Sequence, residues 1–211
     1  MDSPSASSQV VPSQFASIFL DVLRELLGEH GTRTVLRRAG LADWIEAPPP
    51  PSLTHWILAQ PLSILMTSLE DIYGSRGGRA LGRRMGSAWM ERCLKDVGAL
   101  AGMPDQAFQH LPSRARLRLG LGALRRVLSQ LRTMEADILA DDERLVFSVA
   151  GCPFCQGRSL ETAGCTPLVG LVEAAIRAAA PDVHLIPEET GCRATGHAAC
   201  EVTVVLPQEP S

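Results

Sequence analysis

The chain has 211 residues, 45% of them hydrophobic and 20% charged, with a formal net charge of −3 and an isoelectric point near 6.0. That length suits one domain with an N-terminal extension, and it buries a core without disulfide staples. The mild acidity argues against a broad nucleic-acid-binding face, and the apolar runs are too short and too interrupted by charge to span a membrane.

Residues 1–12 are polar at first and lack the basic region of a signal peptide, so they read as a disordered leader. The cytoplasm is therefore the expected location. Residues 13–45 read as an N-terminal helical region. Phe15, Ile18, Phe19, Val22, Leu23, Leu26 and Leu27 recur at helical spacing after Ser13 as cap, and Gly28 is the expected stop. TRTVLRRAGL predicts a second, short helix. Residues 46–52, EAPPPPS, predict a stiff linker, which leaves 53–207 as a ligand-binding domain.

Within that domain a helix is predicted over 62–73, with Leu65, Met66, Leu69 and Ile72 on one stripe. Gly74, Gly77 and Gly78 interrupt it before a second helix over 79–95. Leu81, Met85, Ala88, Trp89 and Cys93 fall on the inward face of that second helix. Small residues beside large flexible ones can enclose an apolar pocket, and Trp56, Met66, Met85, Gly86 and Trp89 are its candidate lining. The competing reading of the same residues is close helix packing. A further helix is predicted over 117–130. Two basic stretches, Arg76 to Arg84 and Arg114 to Arg126, read as solvated helix faces or as a docking surface for an anion or an acidic partner.

From about Thr133 the period changes to two. Ala136, Ile138 and Ala140 share one parity, ADDE makes a turn, and Leu145, Phe147 and Val149 alternate again, which predicts a hairpin. TPLVGLVEAAIRAAAPD predicts a helix with Thr166 as cap, Pro167 in its first turn and Pro181 after its end. A second hairpin closes the chain. The fold class is therefore α+β: N-terminal helices packed on a C-terminal antiparallel sheet with one inserted helix.

Five of the six cysteines lie between residues 152 and 200. Cys152 and Cys155 form a C-x-x-C, a spacing that presents two thiolates to one zinc ion. Cys165 precedes the inserted helix, where the helix dipole is expected to lower its pKa. If the last hairpin turns about Gly196, Cys192 and Cys200 stand opposite each other with β-carbons about 4.5–5.5 Å apart. The five thiols could hold a metal, form redox pairs, or line a pocket, whereas Cys93 reads as a buried core thiol. His197 is a turn residue that could add a ligand, and His184 reads as structural.

GCTPLVGLVEAAI and PEETGCRATGHAACEVTVV together resemble the closing signature of the 4-vinyl reductase domains, with Cys165, Gly170, Glu189, Cys192, Gly196 and Cys200 at the matching positions. LEDIYGSRGGRALGRRMGSAW resembles that family's glycine-punctuated helix pair. The likeness covers roughly 62–206. It implies a fold akin to the small TRAPP subunits and the haem nitric-oxide-binding domains, a pocket for a hydrophobic small molecule or hydrocarbon, and a homodimer. Some members are tied to bacteriochlorophyll synthesis and others look sensory. His197 and the Cys152/Cys155 pair depart from the family pattern.

No G-x-G-x-x-G follows a predicted strand, and no nucleophile–base set stands out, so binding is favoured over catalysis and no catalytic residue is assigned. Three functions compete. The first is a hydrophobic-ligand-binding module with zinc on Cys152, Cys155, Cys165, Cys192 and Cys200. The second is a thiol redox sensor. The third is a tetrapyrrole vinyl reductase or its accessory. A tetrapyrrole or an iron–sulfur cluster is the alternative cofactor. No direct nucleic-acid partner is expected.

Overall fold

The structure is a computed structural model that describes residues 9–96, 106–129, 134–141 and 143–206. Residues 1–8 of the expected leader, the helix end at Gln130, Thr133, Asp142 of the expected turn and the domain end at 207 lie outside those residues.

The remainder of the expected leader is ordered. Strand β1 (Val10–Pro12) pairs antiparallel with β2 (Trp56–Leu58), with Val11 opposite Ile57. Helix α1 (Ser13–Arg38) follows at once. Pro12, one residue before the expected cap, takes the capping position. The Ser13 hydroxyl instead donates to the Pro50 carbonyl at 2.6 Å, which anchors the proline-rich segment to the start of the helix. Gly28 does not stop α1. With φ 68° it bends the axis, and the Thr32 hydroxyl caps its carbonyl at 2.9 Å as the helix resumes. The expected second helix is thus the far half of α1. A short helix α2 (Asp43–Glu46) leads to β2.

Helix α3 (Gln60–Asp96) joins the two helices expected over 62–73 and 79–95, again through a glycine kink, at Gly74 with φ 73°. Glycine reaches this backbone region without the Cβ clash that would exclude other residues. After α4 (Gln106–Gln109), helix α5 (Ser113–Ser129) buries Leu117, Leu121, Leu124 and Leu128. The α5 residue Arg116 is also buried, and it forms two 2.7 Å bonds to the Asp182 carboxylate. That bonding holds the Asp182 pKa below the usual carboxylate range.

The main sheet is antiparallel in the order β3-β4-β6-β5, from β3 (Glu135–Ala140), β4 (Arg144–Ala150), β5 (Glu188–Gly191) and β6 (Cys200–Val205). Helix α6 (Thr166–Ala179) is inserted between β4 and β5. The α+β class and the period-two reading of the hairpin agree with this arrangement. Leu145, Phe147 and Val149 of β4 and Val202 and Val204 of β6 are buried on one face. Burying each such side chain is worth about 1.5–3 kcal/mol.

One hydrophobic core runs through the described residues, and α1 belongs to it. Phe15 of α1 lies 4.4 Å from Trp89 of α3 between ring centroids, and Phe19 lies 5.4 Å from Phe154 in the loop after β4. The small residues of α3 meet α6 backbone to backbone. A Cβ on Gly86 would sit 2.0 Å from the Pro167 carbonyl oxygen, and one on Gly170 would sit 2.0 Å from that of Arg83.

This contact predicts that Gly86→Ala must separate the two helices. The expected loss is about 2–3 kcal/mol, read as a fall in chemical-denaturation midpoint with an unchanged slope. Alanine at Gly122, in the interior of α5 with its Cβ position open, is the matched control and should hold or raise the midpoint, since alanine is the better helix former by about 0.5–1 kcal/mol.

Candidate metal centre

Four short pieces of chain carry the thiols to one place. Cys152 leaves β4 and enters a 3₁₀ turn, Pro153–Cys155, in which the Cys155 N–H donates to the Cys152 carbonyl. That turn puts both cysteines of the C-x-x-C on one side, and it sends Phe154 into the aromatic core. Cys165 caps α6 in place of the expected Thr166, with its carbonyl accepting from the Leu168 N–H at 3.0 Å. Pro167 in the first turn lacks the N–H that would go unsatisfied there.

Cys192 and Cys200 depend on the last hairpin. Glu188 and Glu189 pair with Thr203 and Val202, and then the register shifts so that Gly191 faces Glu201. The ladder stops there: β5 ends at Gly191, and the Cys192 carbonyl accepts instead from the Thr195 and His197 N–H groups at 3.0 and 3.1 Å. Gly196 holds φ 93° to close that turn.

The sulfurs of Cys152, Cys155, Cys165 and Cys200 all lie within 4.8 Å of one another, and all four residues are buried. Cys152 and Cys165 are 3.1 Å apart at sulfur, and Cys155 and Cys200 are 3.6 Å apart. Cys192 is the fifth thiol, buried and 3.5 Å from the Cys155 sulfur. A zinc ion with four Zn–S bonds of about 2.3 Å sets its sulfurs about 3.8 Å apart, so the group has the dimensions of a one-ion site. An iron–sulfur cluster places several iron atoms between its thiolates. Sulfurs this close to one another leave no room for them.

The electrostatics follow from crowding thiols in a dry place. Cys200 is held well below the usual thiol range by its interactions with Cys152 first, then Cys155, Cys165 and Cys192, against the opposing effect of burial. The Arg193 N–H also points at its sulfur, at 3.4 Å. Cys155 is pushed up by its bonds to Cys152 and the other three thiols and by burial. Cys192 is drawn down by Cys155, but its bond to Cys200 and burial outweigh that and push it up to about 11. Cys165 is raised, chiefly by its bond to Cys152, which reverses the expectation drawn from the helix dipole. The sequence showed the helix N-terminus but not that its thiol would be sealed among other thiols.

Glu189 plays a part that spacing alone did not reveal. Both its carboxylate oxygens accept the Cys165 N–H at 2.9 Å, which fastens β5 to the start of α6. Burial raises its pKa, partly offset by that N–H. His197 is exposed and bonds Thr195 at 3.1 Å, and His184 is exposed as well. Cys93 is buried on α3, outside the group of thiols.

The candidate pocket residues divide. Met66, Met85 and Trp89 are buried in the core, Trp56 is half-buried in β2, and Gly86 is used up by the contact with Pro167. The Trp89 indole N–H is buried without a hydrogen-bond partner among the described residues. A donor left so costs about 1–3 kcal/mol, so the position suits an acceptor supplied from outside the chain.

The sequence matches no known family model and no curated protein. Its fold resembles that of several solved structures. An H-NOX protein studied for haem distortion aligns at TM-score 0.62 with 11% identity, over 94% of this chain and 96% of that one. An oxygen-binding H-NOX domain related to soluble guanylate cyclases aligns at TM-score 0.57 with 11% identity, over 94% of this chain and 99% of that one. The phenol-responsive sensory domain of the transcription activator PoxR, solved with phenol, aligns at TM-score 0.53 with 16% identity, over 71% and 74%. The chain has an H-NOX-like fold. All five histidines are exposed, so none offers a buried axial imidazole to a haem. No helix among the described residues is long and apolar enough to cross a membrane.

Glu189 gives a test of how the centre is held. A buried carboxyl with a raised pKa binds its proton more tightly folded than unfolded. The stability it contributes is greatest below the ordinary carboxyl range and is lost as pH rises through the raised value. Glu189→Gln should flatten that part of the stability–pH curve while keeping an acceptor for Cys165. Glu189→Ala should cost about 1–2 kcal/mol at low pH and less as pH rises through the raised value, read by urea denaturation of protein treated with chelator.

Proposed function

We propose that this chain is a sensory domain for a hydrophobic small molecule, with its C-terminal half fastened by one zinc ion on Cys152, Cys155, Cys165 and Cys200. The observation that carries the metal is the group of four buried sulfurs within 4.8 Å of one another. A bound zinc ion would supply the positive charge that lets four crowded thiols all ionise, and with it a crosslink between β4, α6 and β6. Cys192 then stands beside Cys155 as a fifth thiol, and Glu189 fixes the backbone of Cys165.

The ligand half of the reading rests on Trp89. Its partnerless N–H lies in an interior of aromatic and methionine side chains, which favours an apolar ligand that carries one oxygen acceptor. A phenol has that form, and phenol is what the PoxR domain was solved with. The residues that resemble the 4-vinyl reductase signature, Cys165, Glu189, Cys192 and Cys200, also converge here. We include kinship with that family in the proposal, with binding in place of vinyl reduction.

The close approach of Cys152 and Cys165 favours one second reading, a dithiol that oxidises when the metal leaves. Peroxide would then take two electrons and two protons from a thiol pair to give a disulfide and water.

Freshly purified protein should contain about one zinc per chain by elemental analysis. Cys200→Ser should lose most of that metal and melt at lower temperature, while Cys192→Ser should keep most of it. Metal-free protein of undiminished stability would overturn the zinc assignment. A mass lower by two hydrogens after peroxide, in zinc-free protein only, would support the dithiol reading.

Phenol should raise the melting temperature of the wild type in a saturable way. Trp89→Phe should remove most of that rise while preserving the zinc. No phenol-dependent shift in either protein would count against Trp89 as the ligand's partner.

A further inference from the structure

A cleft of about 390 Å³ opens between α1, α3 and α6, away from the thiols, and is lined by Leu26, Arg83, Arg84, Ser87, Glu91 and Glu173, with Arg177 and Ala88 beside them. Its volume falls in the lower part of the range of small-molecule sites, about 300–1,000 Å³. Three arginines and two glutamates meet in it, so one positive charge is in excess. Both glutamates are committed. Glu173 takes Arg83 at 2.8 Å and Arg177 at 3.4 Å, and Glu91 takes Arg177 at 3.2 Å. Arg84 is exposed and makes no ion pair or hydrogen bond among the described residues.

A second observation points the same way. The Ser87 hydroxyl is shielded from solvent and has no hydrogen-bond partner among the described residues. A helical serine commonly bonds the carbonyl four residues back. Here that carbonyl belongs to Arg83, and Gly170 of α6 is pressed against it. The hydroxyl is therefore left over on the lining of a cleft that also holds a spare guanidinium. Leu26 and Ala88 add apolar surface next to them.

From this juxtaposition we infer that the cleft binds a small organic monoanion, a carboxylate with a short hydrocarbon part. Arg84 supplies the charge, Ser87 a hydrogen bond, and Leu26 and Ala88 the apolar contact. A single excess charge matches a single negative charge, and a guanidinium presents two parallel donors to a carboxylate. This site is independent of the zinc centre and of the Trp89 position. It accounts for part of the basic stretch Arg76 to Arg84, which the thiol centre leaves unexplained.

The test is titration of the full-length, zinc-loaded protein with hexanoate, followed by calorimetry and by the backbone amide signals of Arg84 and Ser87. Saturable binding is expected, and it should weaken as salt rises because the charge is exposed. Arg84→Gln should weaken it about tenfold, and Ser87→Ala about threefold, the losses that go with a charge-assisted and a neutral hydrogen bond. Neither change touches the core, so zinc content and the phenol response should stay as in the wild type. Three results would each overturn the inference: no saturable binding of hexanoate, equal binding of hexanol, or undiminished binding by Arg84→Gln. Because zinc and phenol are read in the same samples, failure here is distinguishable from failure of the sensory-domain proposal.

Discussion

The backbone contact between α3 and α6 is the constraint on which the other features depend. Gly82, Gly86 and Gly170 let two helices approach until carbonyl oxygens fill the space where β-carbons would be. At Gly82 the neighbour is the Thr166 hydroxyl, and at Gly86 it is Pro167, so the contact fixes the first turn of α6. Cys165 stands immediately before that turn. A shift of one ångström between the helices would carry its sulfur away from Cys152. The same close approach leaves Ser87 without its usual carbonyl partner and sets Glu173 against Arg83. One steric fact thus bears on both the thiol centre and the charged cleft.

The thiol centre shows how burial changes what a group of like residues can do. In water five thiols would titrate separately. Sealed from solvent and crowded together, they shift one another in opposite directions: Cys200 is held below the usual thiol range, while Cys155, Cys165 and Cys192 are pushed above it. Further ionisation would place like charges a few ångströms apart in a medium that screens them poorly. A cation resolves the conflict, and protons or a sulfur–sulfur bond resolve it in the cation's absence. The proposed metal binding and thiol oxidation would thus be two responses of the same centre, separated by what the surroundings supply.

The α1–α3–loop junction connects this centre to the rest of the core. Phe154 sits between Cys152 and Cys155 in sequence and packs against Phe15 and Phe19, with ring centroids 6.0 and 5.4 Å away. The loop that presents two thiols is therefore also part of the aromatic interior that holds Trp89. An occupant of that interior would press on the side chain between the two cysteines, which gives ligand and thiol centre a shared physical element.

Much of this was legible in the residues themselves. Alternation of side chains set the two hairpins, because the pleat gives a strand a period of two whatever surrounds it. The flanking prolines bounded α6, and Gly196 marked the turn of the last hairpin. Other features had no local signature. Gly28 and Gly74 could have ended their helices or bent them, and packing against the core decided for bending. The pairing of β1 with β2 joins segments more than forty residues apart, and no local pattern announces a contact at that distance. The small residues of α3 could equally have lined a pocket, and only the position of α6 made them a contact surface. Glu189 and Ser87 look ordinary in sequence, since whether a polar group finds a partner depends on which distant backbone arrives beside it. The sequence by itself determined which elements form and which residues carry chemistry. The tertiary structure decided which of them meet, because contact between remote segments depends on how whole elements pack.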